Sequence, residues 1–408
     1  MLTVSRFIMA AMVLPALFSC DGAQIVTGDT TSNTLVPYRY QALYHELHSK
    51  LRSLHATTES IGKEKKSDTA FGVELLVANS NRGEILLTDR VFKATILTLD
   101  RLKDLGVQSV ALSIQYPILT RFFPRSIEYR NFYRRVAREV RRRDLVLIVE
   151  IGTMFREPEF SSIRVDYSGL TMARLNSELR EMAETIIEDL RPNYLTLLTE
   201  PDTQAQNTGL EFSVSSFTAT IRSMAEGLTH QGVRLGAGAG TWNDIAYIKA
   251  LALIPELDYL DLHIYPIQRD FVVDRVIRAA RIAQNRHKSV SIGEAWLQKV
   301  SERELGSISP VKAFARDVYS FWQPLDEMFL EVIVNLCRQI DAEFCSFFWM
   351  KYLYGYLDYD ASTKNLRPQE LITKIDRVAG QRILANTPGG TGNKFKLLVA
   401  TDEGQSQQ

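Results

Sequence analysis

Cysteine is scarce in this sequence, which has only three among its 408 residues: Cys20, Cys337 and Cys345. Three cysteines are too few for a disulfide framework, and no C-x-x-C pair indicates a redox or zinc motif. Cys337 and Cys345 lie in apolar stretches, so we predict that both are buried thiols.

An excess of charge of either sign is also absent. Lysine and arginine together number 48, as do aspartate and glutamate, so the formal net charge is zero. A nucleic-acid-binding protein normally carries a basic excess, so nucleic acid and other polyionic partners are disfavoured. The hydrophobic fraction of 45% and the charged fraction of 24% are typical of a soluble globular protein. The length allows two or three domains, or one large barrel with appendages.

No apolar run reaches the ~18 residues that a membrane-spanning helix needs. Arg6 followed by the apolar residues 7–18 is typical of a signal peptide. Residues 17–20 (LFSC) resemble a bacterial lipobox, which implies lipid attachment at Cys20. We therefore predict an exported lipoprotein, periplasmic or on the cell surface, that is anchored to the membrane. An ordinary secretory signal and an uncleaved anchor are the alternatives.

Composition divides the chain into four segments. Residues 1–20 are the predicted signal peptide, and residues 21–68 a polar tether that includes an amphipathic helix over 39–57. Residues 70–385 form the predicted folded domain, and residues 386–408 a C-terminal tail. A monomer is expected.

Apolar β-branched runs alternate with amphipathic stretches eight times within the folded domain. This alternation is typical of βαβ units and a parallel sheet. The predicted strands are 70–78, 107–115, 144–153, 193–199, 233–238, 258–265, 289–293 and 343–349. The clearest helices are 91–105, 126–143, 169–190, 213–230, 243–254, 270–286, 311–340 and 367–380. Eight repeats predict an α/β fold of the (β/α)8 (TIM) barrel type. A doubly wound sheet is disfavoured, because no Gly-rich phosphate loop follows the first strand.

Two glutamates end strands on nearly opposite sides of the predicted barrel. Glu200 follows the fourth strand and Glu294 ends the seventh, and active sites of (β/α)8 enzymes lie at these carboxyl ends. Retaining glycoside hydrolysis needs two carboxyl groups about 5–5.5 Å apart, one as general acid and one as nucleophile. Across a small barrel, Glu200 and Glu294 can approach this separation.

These residues resemble a known superfamily. Four features are similar to those of the retaining (β/α)8-barrel glycoside hydrolases, which include cellulases, mannanases and endo-galactanases. They are Glu200 followed by proline, Glu294 ending strand seven, the H-x-Y of His263 and Tyr265, and Trp349 on strand eight. The resemblance covers about residues 70–381. It implies that Glu200 is the acid/base, that Glu294 is the nucleophile and that Tyr265 orients Glu294. Further candidates for substrate contact are Thr199, His263, Trp242, Trp296, Trp349, Asn79 and Glu150.

The resemblance implies a β-glycosidase or endo-β-glycanase acting on an oligo- or polysaccharide, with no metal or organic cofactor. One departure is Thr199, which stands where the superfamily usually has asparagine before the acid/base. The family-typical arginine after strand two is not evident either, since Arg121 and Arg125 lie beyond it. A non-catalytic, carbohydrate-binding barrel is therefore the alternative. An aldolase or isomerase is disfavoured, because the loops after strands seven and eight are aromatic rather than Gly-rich.

Overall fold

Eight parallel strands in chain order close into a barrel, with β8 pairing to β1. The structure is a computed structural model that describes residues 36–403 except 63–66, 266, 268–269 and 348. The strands are β1 Ala70–Glu74, β2 Ser109–Tyr116, β3 Val146–Thr153, β4 Tyr194–Thr196, β5 Arg234–Gly240, β6 Tyr259–Ile264, β7 Ser289–Ala295 and β8 Phe344–Phe347. The predicted (β/α)8 barrel is confirmed. The predicted signal peptide, with Cys20, lies outside the described residues.

Helices surround the barrel and cover its outer face. They are α1 Tyr38–Gly62, α2 Asp89–Asp104, α3 Ser126–Arg141, α4 Met172–Leu190, α5 Pro201–Thr208, α6 Val214–Ala225, α7 Ile245–Leu251, α8 Arg275–Gln284, α9 Pro310–Asp317, α10 Gln323–Ile340, α11 Pro368–Ala385 and α12 Gly390–Glu403. Within the described residues no helix combines the length and the hydrophobicity that crossing a membrane requires. Cys337 and Cys345 are buried free thiols, as predicted.

Two predictions, one of a helix and one of a tail, differ from the structure. The predicted helix over 311–340 is two helices, α9 and α10, because Pro324 lacks an amide hydrogen and is accepted only in the first turn of α10. The segment 386–408, predicted as a tail, contains α12. Phe395 and Val399 of α12 are buried in the main core, and this burial holds the helix against α10.

The barrel interior changes character from one end to the other. At the amino ends of the strands, Tyr259 and Phe344 pack against Ile148 and close the floor of the barrel. Towards the carboxyl ends the interior becomes polar. Side chains of β6 alternate between inside and outside, so Tyr259, Asp261 and His263 point inwards at successive levels.

A register shift in β7 is the feature that most affects the polar end. Asp261 pairs with Ser291, but His263 pairs with Glu294 rather than with Gly293. Gly293 is thus the extra residue of a bulge, and its amide donates to Asp261 Oδ1 at 2.7 Å. The bulge places Glu294 beside His263, on the inside of the barrel.

Candidate active site

Glu200 sits where the chain leaves β4 and enters α5. Its backbone is left-handed (φ 46°, ψ 72°), a conformation that is strained for a residue with a side chain and that is common at functional sites. Pro201 disfavours a right-handed helical conformation at the residue before it and starts α5. The Thr203 hydroxyl donates to Glu200 Oε2 at 2.5 Å, and the side chain is buried. The turn therefore holds the carboxylate inside the barrel mouth.

Glu294 faces Glu200 from the bulge of β7. The Tyr265 hydroxyl donates a hydrogen bond to Glu294 Oε2, as the sequence resemblance implied. Glu294 Oε1 is buried and accepts no hydrogen bond from the described residues. Burial raises the pKa of Glu294 well above its usual value, and the positive charge of His263 only partly opposes this.

His263 lies between the two glutamates. Its Nδ1 is 2.7 Å from Glu200 Oε1 and 3.9 Å from Glu294 Oε2. Burial alone would lower the pKa of His263, but the surrounding carboxylates, first Glu150 and then Glu294, outweigh burial and raise it well above its usual value. The imidazole therefore carries a positive charge that compensates part of the negative charge of the site.

The separation of the two glutamates is the geometric result that matters most for chemistry. One carboxylate oxygen of Glu200, one of Glu294 and one nitrogen of His263 all lie within 4.8 Å of one another. Inverting glycosidases hold their carboxyl groups about 6.5–9.5 Å apart, to leave room for a water molecule, whereas retaining enzymes hold them at about 5–5.5 Å. The spacing of Glu200 and Glu294 suits a retaining reaction.

Thr199 and Glu150 are brought together beside this pair. The Thr199 hydroxyl donates to Glu150 Oε1 at 2.6 Å, and both side chains are buried. Burial raises the pKa of Glu150 to about 7, although the charge of His263 opposes the shift. Both residues were predicted to contact substrate. In the structure the hydroxyl of Thr199 donates its hydrogen bond to Glu150.

Asn79 also donates its side-chain hydrogen bond to a carboxylate. Its side-chain amide donates to Glu74 Oε1 at 2.6 Å, and the Ser113 hydroxyl donates to the same oxygen at 2.8 Å. Burial raises the pKa of Glu74 to about 8. The hydrogen bond from Asn79 stabilises the ionised form of Glu74 and so opposes the effect of burial, and a contact between Asn79 and substrate stays a prediction. Glu74 is an acidic residue within an apolar strand, where an ionised carboxylate is costly unless it has partners.

The three predicted tryptophans meet at the barrel mouth, together with two other aromatic residues. The Trp242 ring stacks on Tyr265 at a centroid distance of 5.1 Å. Trp296 and Trp349 meet edge to face at 5.5 Å, and Phe314 of α9 lies 5.0 Å from Trp296 and 5.2 Å from Trp349. We call Trp242, Tyr265, Trp296, Phe314 and Trp349 the aromatic cover. Phe314 was not predicted, because its helix follows strand seven after a long loop.

The aromatic cover closes the site in this conformation. The three tryptophans are only 6–8% exposed, and Glu200 and Glu294 are 0% and 2% exposed. Little of either carboxylate is therefore open to solvent in this conformation.

Arg121 and Arg125 do not belong to the site. The Arg121 side chain is mostly exposed, and Arg125 pairs with Glu128 at 2.7 Å on the surface. The positive charge beside Glu200 and Glu294 comes from His263 instead.

Among the described residues, two groups of side chains have donor types and a spacing that could hold a metal ion. One is Glu200, His263 and Glu294, and the other is Glu150, Asp261 and His263. His263 is common to both, and in each group the three donor atoms lie within 4.8 Å of one another. Glu150 of the second group lies on the opposite edge of the imidazole from Glu200, 3.6 Å from Nε2.

Solved structures with a similar fold include glycoside hydrolases. An exo-beta-1,4-mannosidase from Opitutaceae bacterium strain TAV5 superposes with a TM-score of 0.53 at 12% identity, covering 83% of this chain and 60% of that chain. The protein GH5_18 from Bifidobacterium longum subsp. longum superposes with a TM-score of 0.52 at 14% identity, covering 82% of this chain and 79% of that one. This chain thus spans 60% of the mannosidase. The expected resemblance to the (β/α)8-barrel glycoside hydrolases is confirmed for the fold.

Comparisons by sequence found nothing. No model of a protein family matches the chain, and no curated protein matches it either.

Proposed function

We propose that this protein is a retaining β-glycosidase or endo-β-glycanase, with Glu200 as acid/base and Glu294 as nucleophile. The observation that carries the proposal is the approach of the two carboxylates to within 4.8 Å at the carboxyl ends of β4 and β7. The shared fold with an exo-beta-1,4-mannosidase supports a carbohydrate substrate.

The first step cleaves the glycosidic bond. Glu294 Oε1, which accepts no hydrogen bond from described residues, attacks the anomeric carbon and forms a glycosyl–enzyme ester. Glu200 protonates the glycosidic oxygen, so the leaving group departs as an alcohol. Because His263 is hydrogen-bonded to Glu200, the Glu200–His263 pair holds the proton that is transferred.

The second step releases the sugar. Glu200, now ionised, takes a proton from water, and the resulting hydroxide attacks the anomeric carbon and displaces Glu294. Tyr265 donates to the carboxylate of Glu294 and holds its orientation. In the aromatic cover, Trp349 and Trp296 offer apolar faces on which the C–H groups of a pyranose can pack.

A second candidate function is carbohydrate binding without catalysis. Two observations favour it: the catalytic pair is buried under the aromatic cover, and the Thr199 hydroxyl is bonded to Glu150. A barrel of this kind would retain sugar packing on its tryptophans while lacking turnover.

Turnover of aryl β-glycosides and a panel of β-linked polysaccharides by the purified chain tests the first proposal. Glu294→Ala should lower kcat by roughly three orders of magnitude, and azide, replacing the lost nucleophile, should restore activity on aryl substrates. The exposed Glu188→Gln on α4 is the matched control and should leave activity unchanged. Absence of turnover with retained glycan binding would refute the enzyme and support the binding protein.

We also propose that the chain is exported and lipid-anchored at Cys20, on the strength of its first 20 residues. Full-length protein expressed in bacteria should fractionate with membranes and incorporate labelled fatty acid. Cys20→Ala should abolish the labelling, and Cys337→Ala, at a buried cysteine, should not. Unlabelled protein in the soluble fraction would contradict the proposal.

A further inference from the structure

The two nitrogens of His263 have different surroundings. Nδ1 faces Glu200 Oε1 at 2.7 Å, which is a normal hydrogen-bond distance. Nε2 is buried and has no hydrogen-bond partner in the part of the chain that the structure describes. An imidazole nitrogen buried without a partner is costly, so its surroundings require an explanation.

One carboxylate faces this nitrogen, and a second lies nearby. Glu150 Oε1 on β3 lies 3.6 Å from Nε2, which is too far for a hydrogen bond. Asp261, two residues before His263 on β6, completes a set of three donor atoms within 4.8 Å of one another. Two ligands on one tetrahedral zinc ion, each bonded at about 2.0–2.1 Å, are separated by roughly 3.3 Å. The observed 3.6 Å is close to that separation.

Hydrogen bonds hold each of these three side chains in place. The Thr199 hydroxyl donates to Glu150, and the Thr196 hydroxyl donates to Asp261 Oδ2 at 2.8 Å. Glu200 accepts from His263 Nδ1, so Nε2 points away from Glu200, and loss of the Nε2 proton exposes a lone pair there. A carboxylate behind a histidine is the usual second shell of protein-bound zinc, because it fixes the tautomer and raises the basicity of the ligand.

We propose that Glu150, Asp261 and His263 Nε2 bind one divalent transition-metal ion, of the chemistry of Zn²⁺, inside the barrel. Two carboxylates and a neutral imidazole carry two negative charges, which the ion cancels, and burial of those charges then becomes favourable. One imidazole with two carboxylates suits Zn²⁺ or Mn²⁺. Binding displaces the proton of Nε2 and leaves Glu200 and Glu294 outside the ligand set. The proposal does not rest on the proposed glycosidase activity.

The test measures metal content and affinity directly. The full chain, stripped with a chelator, is titrated with zinc sulfate in a calorimeter and analysed for bound metal after gel filtration. We expect one zinc ion per chain and a higher unfolding temperature with zinc than without it. Cobalt should occupy the same site and give the strong visible absorption of a tetrahedral ion.

Variants assign the ligands. Asp261→Asn and Glu150→Gln should each weaken zinc affinity by about 100-fold or more. Glu74→Gln is the matched control, since it removes another buried carboxylate of the barrel that is outside the set. Circular dichroism of each variant establishes whether it is folded. If a variant does not fold, zinc binding by the stripped wild-type chain decides the question by itself. A wild-type chain that binds no zinc, or binding that both ligand variants retain, overturns the proposal.

Discussion

His263 and Glu294 are paired across β6 and β7 only because the register of β7 shifts at Gly293. Without the shift, Gly293 would stand opposite His263, and the glutamate side chain would point to the outer face of the barrel. A β-carbon on Gly293 would lie 2.5 Å from both carboxylate oxygens of Asp261, so only glycine fits there.

Gly293→Ala should therefore destabilise the protein and misplace the nucleophile. We expect a loss of roughly 1–3 kcal/mol in the free energy of unfolding, because the methyl group must displace Asp261. Urea unfolding and activity measure the two effects. Gly355→Ala is the control, because its β-carbon would meet only side-chain atoms of Arg382 and Val378 at 3.3 Å. Equal stability of the two variants would contradict this account of the bulge.

Tyr265→Phe should reduce activity while leaving the fold intact. The variant removes one hydrogen bond to Glu294, and a bond to a charged group contributes ~1.5–3 kcal/mol, so kcat/KM should fall about 10- to 100-fold. Loss of a donor to the carboxylate also raises the pKa of Glu294 further. The nucleophile must be ionised, so the acidic limb of the pH–rate profile should move to higher pH. A uniform loss of rate with no movement of that limb would point to altered packing instead.

Glu74 should make the protein less stable as the pH rises. Its pKa is raised to about 8 in the folded state, above the value of 4.5 for an exposed glutamate. Between these values the folded state binds more protons than the unfolded state, so the free energy of unfolding falls with increasing pH. Denaturation of the wild type at intervals from pH 5 to pH 8 should show this decline.

Glu74→Gln should flatten that pH dependence and leave the part due to Glu150. The amide keeps an oxygen that can accept from Asn79 and Ser113, so the packing is preserved. Glu188→Gln, on the surface of α4, should leave the slope unchanged. If Glu74→Gln had the same slope as the wild type, Glu74 would not be the buried acid that titrates.

Among the ion pairs of the described residues, Lys299 is the one cation that contacts both Asp317 and Asp326, two buried aspartates beyond β7. Its Nζ lies 3.5 Å from Asp317 and is bonded to Asp326, and all three side chains are at most about one-eighth exposed. Lys299→Met should cost roughly 3–5 kcal/mol in the free energy of unfolding, because both carboxylates remain buried without the positive charge of Lys299. Adding Asp326→Asn should recover part of the loss. A strictly additive double variant in urea unfolding would contradict the coupling.

Local sequence patterns were sufficient to predict the barrel. Eight alternations of apolar strand and amphipathic helix admit few topologies, because parallel strands require helical crossovers. The pairing of Glu200 with Glu294 also followed, since the carboxyl ends of all strands meet at one mouth. Pro324 carried the signal for the break between α9 and α10, but the apolar periodicity over 311–340 obscured it.

The sequence by itself determined the fold, the two glutamates of the mouth and the tryptophans around them, because strand and helix periods are local properties. Only the tertiary structure decided which partners those residues have. Thr199 bonds Glu150, Asn79 bonds Glu74, and His263 lies between two sets of carboxylates. These contacts join strands that are far apart in the chain, and a one-residue register shift at Gly293 decides whether Glu294 takes part in them.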